Sequence, residues 1–147
     1  MPRRERAERT TSRAVDLLRR AAWAPIAAVL IQQGTLWFGV RRDADALVHF
    51  CGGAAAAFFL LRASQIFAER LGITRRGTHG LVAFAGACTA AVVCEIVEFA
   101  SDQWLGSHAQ ESLHETMLDL VFGVTGAAIA LVVVMTLDSR RRGRGVA

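Results

Sequence analysis

Polar and apolar residues segregate along this chain instead of alternating. Four long apolar runs, Ala21 to Val40, Ala46 to Leu61, Leu81 to Ala100 and Met117 to Leu137, are separated by short polar segments. A helix crossing ~30 Å of hydrocarbon needs about 20 mostly apolar residues. The first, third and fourth runs have that length, and the second has it when counted from Ala44 to Arg62. A closed β-barrel is the other spanning solution, but its strands alternate apolar and polar positions and these runs do not. The pattern predicts an all-α integral membrane bundle of four transmembrane helices, at about 21–40, 44–62, 79–100 and 115–137, flanked by basic tails at 1–20 and 138–147. Pro2 to Arg20 mixes acids with arginines, is long for a signal-peptide head and precedes no small-x-small cleavage site, so the first run reads as a retained helix. The closing "RRRGRGVA" reads as a flexible basic tail.

Charge orients the bundle. All 17 basic residues are arginine: seven in Arg3 to Arg20, two at Arg41 and Arg42, four from Arg62 to Arg76, and four from Arg140 to Arg144. Cytoplasmic loops are enriched in such residues. Both termini and the loop Arg62 to Thr78 are therefore expected inside, with fifteen arginines there against two outside. This makes the chain a multi-pass protein of the plasma membrane, with Trp23, Trp37 and Trp104 near the boundaries, where aromatic rings are favoured. The net charge of +4 then needs no nucleic acid. Membrane lipids are the expected partners, with the basic tails against an anionic inner leaflet. Cys51, Cys88 and Cys94 form neither a CxxC pair nor a disulfide framework and read as small packing residues.

The acids go the other way. Asp43, Asp45, Glu95, Glu98, Asp102, Glu111, Glu115 and Asp119 fall outside or in the outer half of the membrane, as do His49, His108 and His114. The segment "AVVCEIVEFASDQWLG" (Ala91 to Gly106) is the sharpest case, because Glu95 lies about two turns inside the outer boundary. A lone carboxylate facing lipid there costs several kcal/mol, so Glu95 must face the bundle. Residues three or four apart share a helix face. Asp45 and His49 lead inward to Gly52 and Ala56; Asp102, Glu98 and Glu95 lead to Ala91 and Cys88; Glu115 and Asp119 lead to Gly123, Gly126 and Ala130. Packing these small-residue stripes together gathers Asp45, His49, Glu95, Glu98, Glu115 and Asp119 near the outer surface.

An oxygen-rich set with one imidazole suits a divalent metal ion such as Mg, Mn, Ca or Zn, and equally suits proton relay or a polar, cationic lipid headgroup. Simpler roles stand beside these. Asp45 caps the second helix and Glu115 sits in the first turn of the fourth, where helix dipoles favour acids. Asp102 and Glu111 read as solvated loop residues, and His108 and His114 as interfacial polar groups. Gln32, Gln33 and Thr35 of "LIQQGTLW" either donate to the acids or join helices, and Pro25 kinks the first helix. "DALVHFCGGAAAA" and "DLVFGVTGAAIA" also echo one another weakly.

"DALVHF" (Asp45 to Phe50), "EIVEF" (Glu95 to Phe99) and "ETMLDLVFGVTGA" (Glu115 to Ala127) resemble the YjdF-type bacterial membrane proteins, over Asp45 to about Leu131. A looser likeness is to VanZ-like proteins, which share an acid-x-x-x-His-Phe helix and a late Asp before small residues. Those are associated with glycopeptide resistance, and this chain lacks the Arg expected shortly before that Asp. The YjdF-type resemblance implies the helices and the site but no reaction.

Three functions fit. The first is an outer-facing intramembrane site for a divalent cation or polar headgroup, with Glu98 and Asp119 central, Glu95 a buried partner and His49 a ligand or proton shuttle. The second is a small proton- or cation-coupled transporter, which needs a homodimer because four helices are few. The third is an accessory or structural membrane protein. No phosphate loop, Gly-x-Ser-x-Gly or paired-Cys motif is present, and no nucleophile stands beside a base in the membrane. The residues therefore specify binding chemistry and name no reaction.

Overall fold

The computed structural model describes residues 3–107, 109, 110 and 112–144. Its regular structure is wholly helical among the described residues: α1 (Arg3–Ala21), α2 (Trp23–Trp37), α3 (Arg41–Ile66), α4 (Ala68–Leu71), α5 (Arg76–Leu105) and α6 (Leu113–Arg144). Three segments, Ala44–Ile66, Arg76–Leu105 and Leu113–Arg142, are long and apolar enough to cross a membrane.

The first apolar run forms a shorter helix than its hydropathy suggests. The 15 residues of α2 rise only ~22 Å. Pro25 has no N–H to give the carbonyl of Ala21, four residues back, and the helix breaks at Ala22. The flanking bonds, Ala22 N–H to Leu18 O and Ile26 N–H to Ala22 O, are both stretched to 3.3 Å. Gly39, with φ +69°, turns the chain at the other end. At the C-terminus the opposite difference occurs. Helix α6 runs on through Arg144, where a flexible tail was expected. Asp138 is clamped there by Arg62, and Arg141, Arg142 and Arg144 in the last turn complement the negative end of the helix dipole.

Helix α3 is central. It packs on α2, α5 and α6, whereas among the described residues no Cα of α2 comes within 8 Å of one in α5 or α6. The early parts of α3 and α6 meet at Asp45, His49 and Asp119, and their late parts meet at Arg62 and Asp138, so the two run parallel. Glu95, late in α5, meets His49, and His79, early in α5, meets Ser64, so α5 is antiparallel to both.

The α3–α6 contact is made by backbone. A Cβ on Gly53 would lie 1.9 Å from Gly123 O, and one on Gly126 would lie 2.1 Å from Phe50 O. No other residue type fits at that separation, and close approach of this kind gives helices in a bilayer their van der Waals cohesion. The contact glycine is Gly53 and not Gly52, where a Cβ would meet nothing within 4 Å. Both share a face with His49, so spacing alone does not choose between them. Below this contact lies a dry core of Ala57, Leu61, Ala83, Ala87, Ala127 and Leu131.

The far end is polar again. Arg62 donates to both carboxylate oxygens of Asp138, at 2.7 and 3.1 Å, and to Gln65 Oε1 at 3.0 Å. Its guanidinium also lies 5.4 Å from the centre of the Phe58 ring. Arg76 donates to Ser139 Oγ at 2.7 Å and to Met135 O at 3.1 Å. Buried His79 Nδ1 lies 3.1 Å from Ser64 Oγ. Arg13 pairs with Glu69, and Arg70 donates to Thr10, tying α1 to α4.

Adjacent glycines therefore have opposite tolerance. Gly53→Ala, which drives a methyl into Gly123 O, should cost about 1–3 kcal/mol as an overpacking change. Gly52→Ala should be neutral or gain up to about 1 kcal/mol from helix propensity. Thermal unfolding of the two variants in detergent checks this, and equal melting temperatures would refute the contact.

Candidate acid and histidine site

Asp45 and His49 sit one turn apart on α3, and the contact at Gly53, one turn beyond His49, holds that face against α6. Asp119 lies one turn before Gly123 on α6 and is thereby aimed at His49. Glu95 comes from α5, one turn beyond Ala91, whose Cβ would lie 3.4 Å from a Cβ on Gly123. Three helices thus converge on one imidazole.

His49 Nε2 lies 3.8 Å from Asp45 Oδ1 and 4.0 Å from Asp119 Oδ2, and Nδ1 lies 3.5 Å from Glu95 Oε1. These separations exceed the ~2.7–3.2 Å of an N–H···O bond. The side chains of Glu95 and Asp119 are only 7% exposed and that of His49 12%. Buried Glu95 Oε1 has no hydrogen-bond partner among the described residues, which ordinarily costs a charged group several kcal/mol. One ligand atom each from Asp45, His49 and Asp119 lie within 4.8 Å of one another, so this group can hold a metal ion.

The loop after α5 covers the cluster. Asp102 accepts from Ala109 N–H at 2.6 Å, from Gln110 N–H at 2.8 Å and from Ser107 Oγ–H. It organises the loop and is not the solvated side chain that its position suggested. Gln110 Nε2, placed by this turn, donates to Glu95 O at 3.1 Å and to Glu95 Oε2 at 3.4 Å. No periodicity could have revealed Gln110, because its reach depends on how the loop closes.

The remaining candidates are placed as follows. Glu98 is half-buried and lines a cavity with His49, Gln32 and Cys94, one turn away from Glu95. Glu115 is half-buried one turn above Asp119, its N–H bonded to Ser112 Oγ at 3.2 Å. His114 and Gln33 are exposed, and the Thr35 hydroxyl bonds within its own helix to Gln32 O at 2.8 Å. His108 and Glu111, read as an interfacial and a loop residue, lie outside the described residues. The three cysteines are free, and Cys51 and Cys94 face different grooves.

Fold and cluster together define a multi-pass helical membrane protein with an acid–imidazole group enclosed at one end of its bundle. The chain belongs to the family described as "Predicted membrane protein (DUF2238)", whose model matches residues 25–140 and so includes every residue of the cluster. No curated protein and no solved structure matches the chain.

Asp102→Ala should release the loop. Amide exchange at Ala109 and Gln110 is expected to accelerate, with a stability loss of about 1–3 kcal/mol from the donors left unpaired. Unchanged protection at both amides in exchange measurements would show that Asp102 does not hold the turn.

Proposed function

We infer that the cluster is an intramembrane divalent-cation site, with Asp45, His49 and Asp119 as ligands and Glu95 as the group that fixes the imidazole. The observation that carries this is buried Glu95 Oε1, which has no hydrogen-bond partner among the described residues and lies beside His49 Nδ1. A metal-bound histidine uses one ring nitrogen as ligand and donates the other N–H to a carboxylate, which orients the ring and raises its basicity. Here Nε2 faces Asp45 and Asp119 while Nδ1 faces Glu95. Three carboxylates share one imidazole, which supplies at most one positive charge, and a dication removes most of the remaining negative charge. Bonds of about 2.0–2.6 Å let one ion touch atoms about 4–5 Å apart, and His49 Nε2 lies 3.8 and 4.0 Å from the Asp45 and Asp119 oxygens. The nitrogen in the set favours Mn²⁺ or Zn²⁺ over Mg²⁺ or Ca²⁺.

The same reading places both termini in the cytoplasm of a plasma-membrane protein. Its support is that Arg13, Arg62, Arg70 and Arg76 all lie at the bundle end opposite the cluster. The first apolar run, 21–40, with α2 as its helical part, is then the fourth crossing, and the basic tails face the anionic inner leaflet. All four groups of the cluster fall within the three motifs of the YjdF-type likeness, so we extend the site to that family; the VanZ-like likeness adds no residue. Transport is less favoured, because the dry core of Ala57, Leu61, Ala83, Ala87, Ala127 and Leu131 interrupts any polar path to the opposite end.

Purified protein loaded with Mn²⁺ or Zn²⁺ and desalted should retain about one equivalent by elemental analysis. Asp119→Asn and Asp45→Asn should retain at least tenfold less, whereas Glu98→Gln keeps the wild-type content. A wild type without metal, or an Asp119→Asn that retains it fully, would refute the assignment.

A further inference from the structure

A second feature adjoins the cluster without belonging to it. Between α2, α3 and α5 lies a cavity of about 250 Å³. It has Gln32, His49 and Glu98 at one end and Pro25 and Ala87 at the other. At ~1.5 Å per helical residue, the lining from Pro25 to Gln32 covers ~10 Å of α2, and that from Ala87 to Glu98 covers ~16 Å of α5. The space is long, narrow and parallel to the helices. Its length is walled by Gly52, Ala56 and Ala90 among other small or apolar residues. No described Cα of α2 approaches α5 within 8 Å, so the two helices leave a gap on that side.

We propose that this cavity holds one acyl chain of a membrane lipid whose ammonium headgroup pairs with Glu98. The volume is below the ~300–1,000 Å³ of pockets that enclose a whole drug-sized ligand, so it suits a single chain with the rest of the lipid outside. Lipid tails are as apolar as the cavity wall, so chain burial supplies no hydrophobic driving force. The chain sets the shape of the ligand, and selectivity must come from the polar end. There Glu98 is the carboxylate in the lining, and no arginine is among the described lining residues. An anionic headgroup meets repulsion at this mouth, whereas the ammonium of a phosphoethanolamine meets its counter-charge. This goes beyond the cation site and does not depend on it.

Gly52 provides a clean test, because a Cβ there meets no atom within 4 Å while the residue lines the cavity. The full chain, reconstituted with equal amounts of phosphatidylethanolamine and phosphatidylglycerol of matched acyl chains, is released for native mass spectrometry. Wild type should retain one phosphatidylethanolamine, preferred over phosphatidylglycerol by about tenfold, a ratio equivalent to about 1.4 kcal/mol. Gly52→Leu should lose that lipid, as should Ala90→Leu, which fills the cavity from α5 and serves if the first variant does not fold. Glu98→Gln should retain both lipids equally. Equal retention of the two lipids by wild type, or undiminished phosphatidylethanolamine on a folded cavity-filled variant, would overturn the proposal. Cation content measured on the same samples separates the two sites: lost lipid with retained metal, or the reverse, assigns the failure to one of them.

Discussion

The approach of α3 to α6 through Gly53, Gly123 and Gly126 is the constraint on which the rest of the molecule depends. The would-be Cβ positions at Gly53 and Gly126 fall about 2 Å from carbonyl oxygens of the facing helix, so these backbones touch without intervening side chains. In a bilayer no hydrophobic force drives helices together, and this contact supplies dispersion in its place. It also fixes the rotation of both helices. Asp119 lies one turn from Gly123 and His49 one turn from Gly53, so whatever seats the glycines sets the acid against the imidazole. Ala91 brings α5 to the same point, and Glu95 follows one turn later.

Polar layers at the two ends of the bundle meet the cost of burial differently. At one end Asp138 receives two guanidinium hydrogen bonds from Arg62, a bidentate pair in which charge and geometry are both satisfied. At the other, Asp45, Glu95 and Asp119 share His49 at distances of 3.5 to 4.0 Å, and Glu95 Oε1 has no hydrogen bond among the described residues. The first arrangement is complete as it stands and needs nothing further to explain it. The second is an expensive geometry in a membrane protein unless a cation completes it, and ionisable groups kept in such places are functional by default. An apolar layer lies between the two ends.

Much of this was legible in the sequence, and the exceptions have physical reasons. Apolar run length located the three long helices, because hydrocarbon thickness translates directly into residue number. It overstated α2, since hydropathy does not register the N–H missing from Pro25 or the turn at Gly39. The three- and four-residue spacings brought Asp45, His49, Glu95 and Asp119 to facing stripes. Spacing could not decide whether Glu95 or Glu98 meets the imidazole, nor whether Gly52 or Gly53 meets α6, because each pair shares a face and only helix rotation separates its members. Asp102 and Gln110 act through loop closure, and Arg62 with Asp138 through a pairing 76 residues apart in sequence. No local pattern encodes either. Arg62, Arg70 and Arg76 all lie at one end of the bundle, away from the acids around His49.

The most direct test of the central claim is electron spin-echo modulation on the Mn²⁺-loaded protein with ¹⁵N-labelled histidine. Modulation from a single directly bound imidazole nitrogen is expected, abolished by His49→Gln and present in His79→Gln. A bound Mn²⁺ with no nitrogen modulation, or modulation that survives His49→Gln, would contradict that claim.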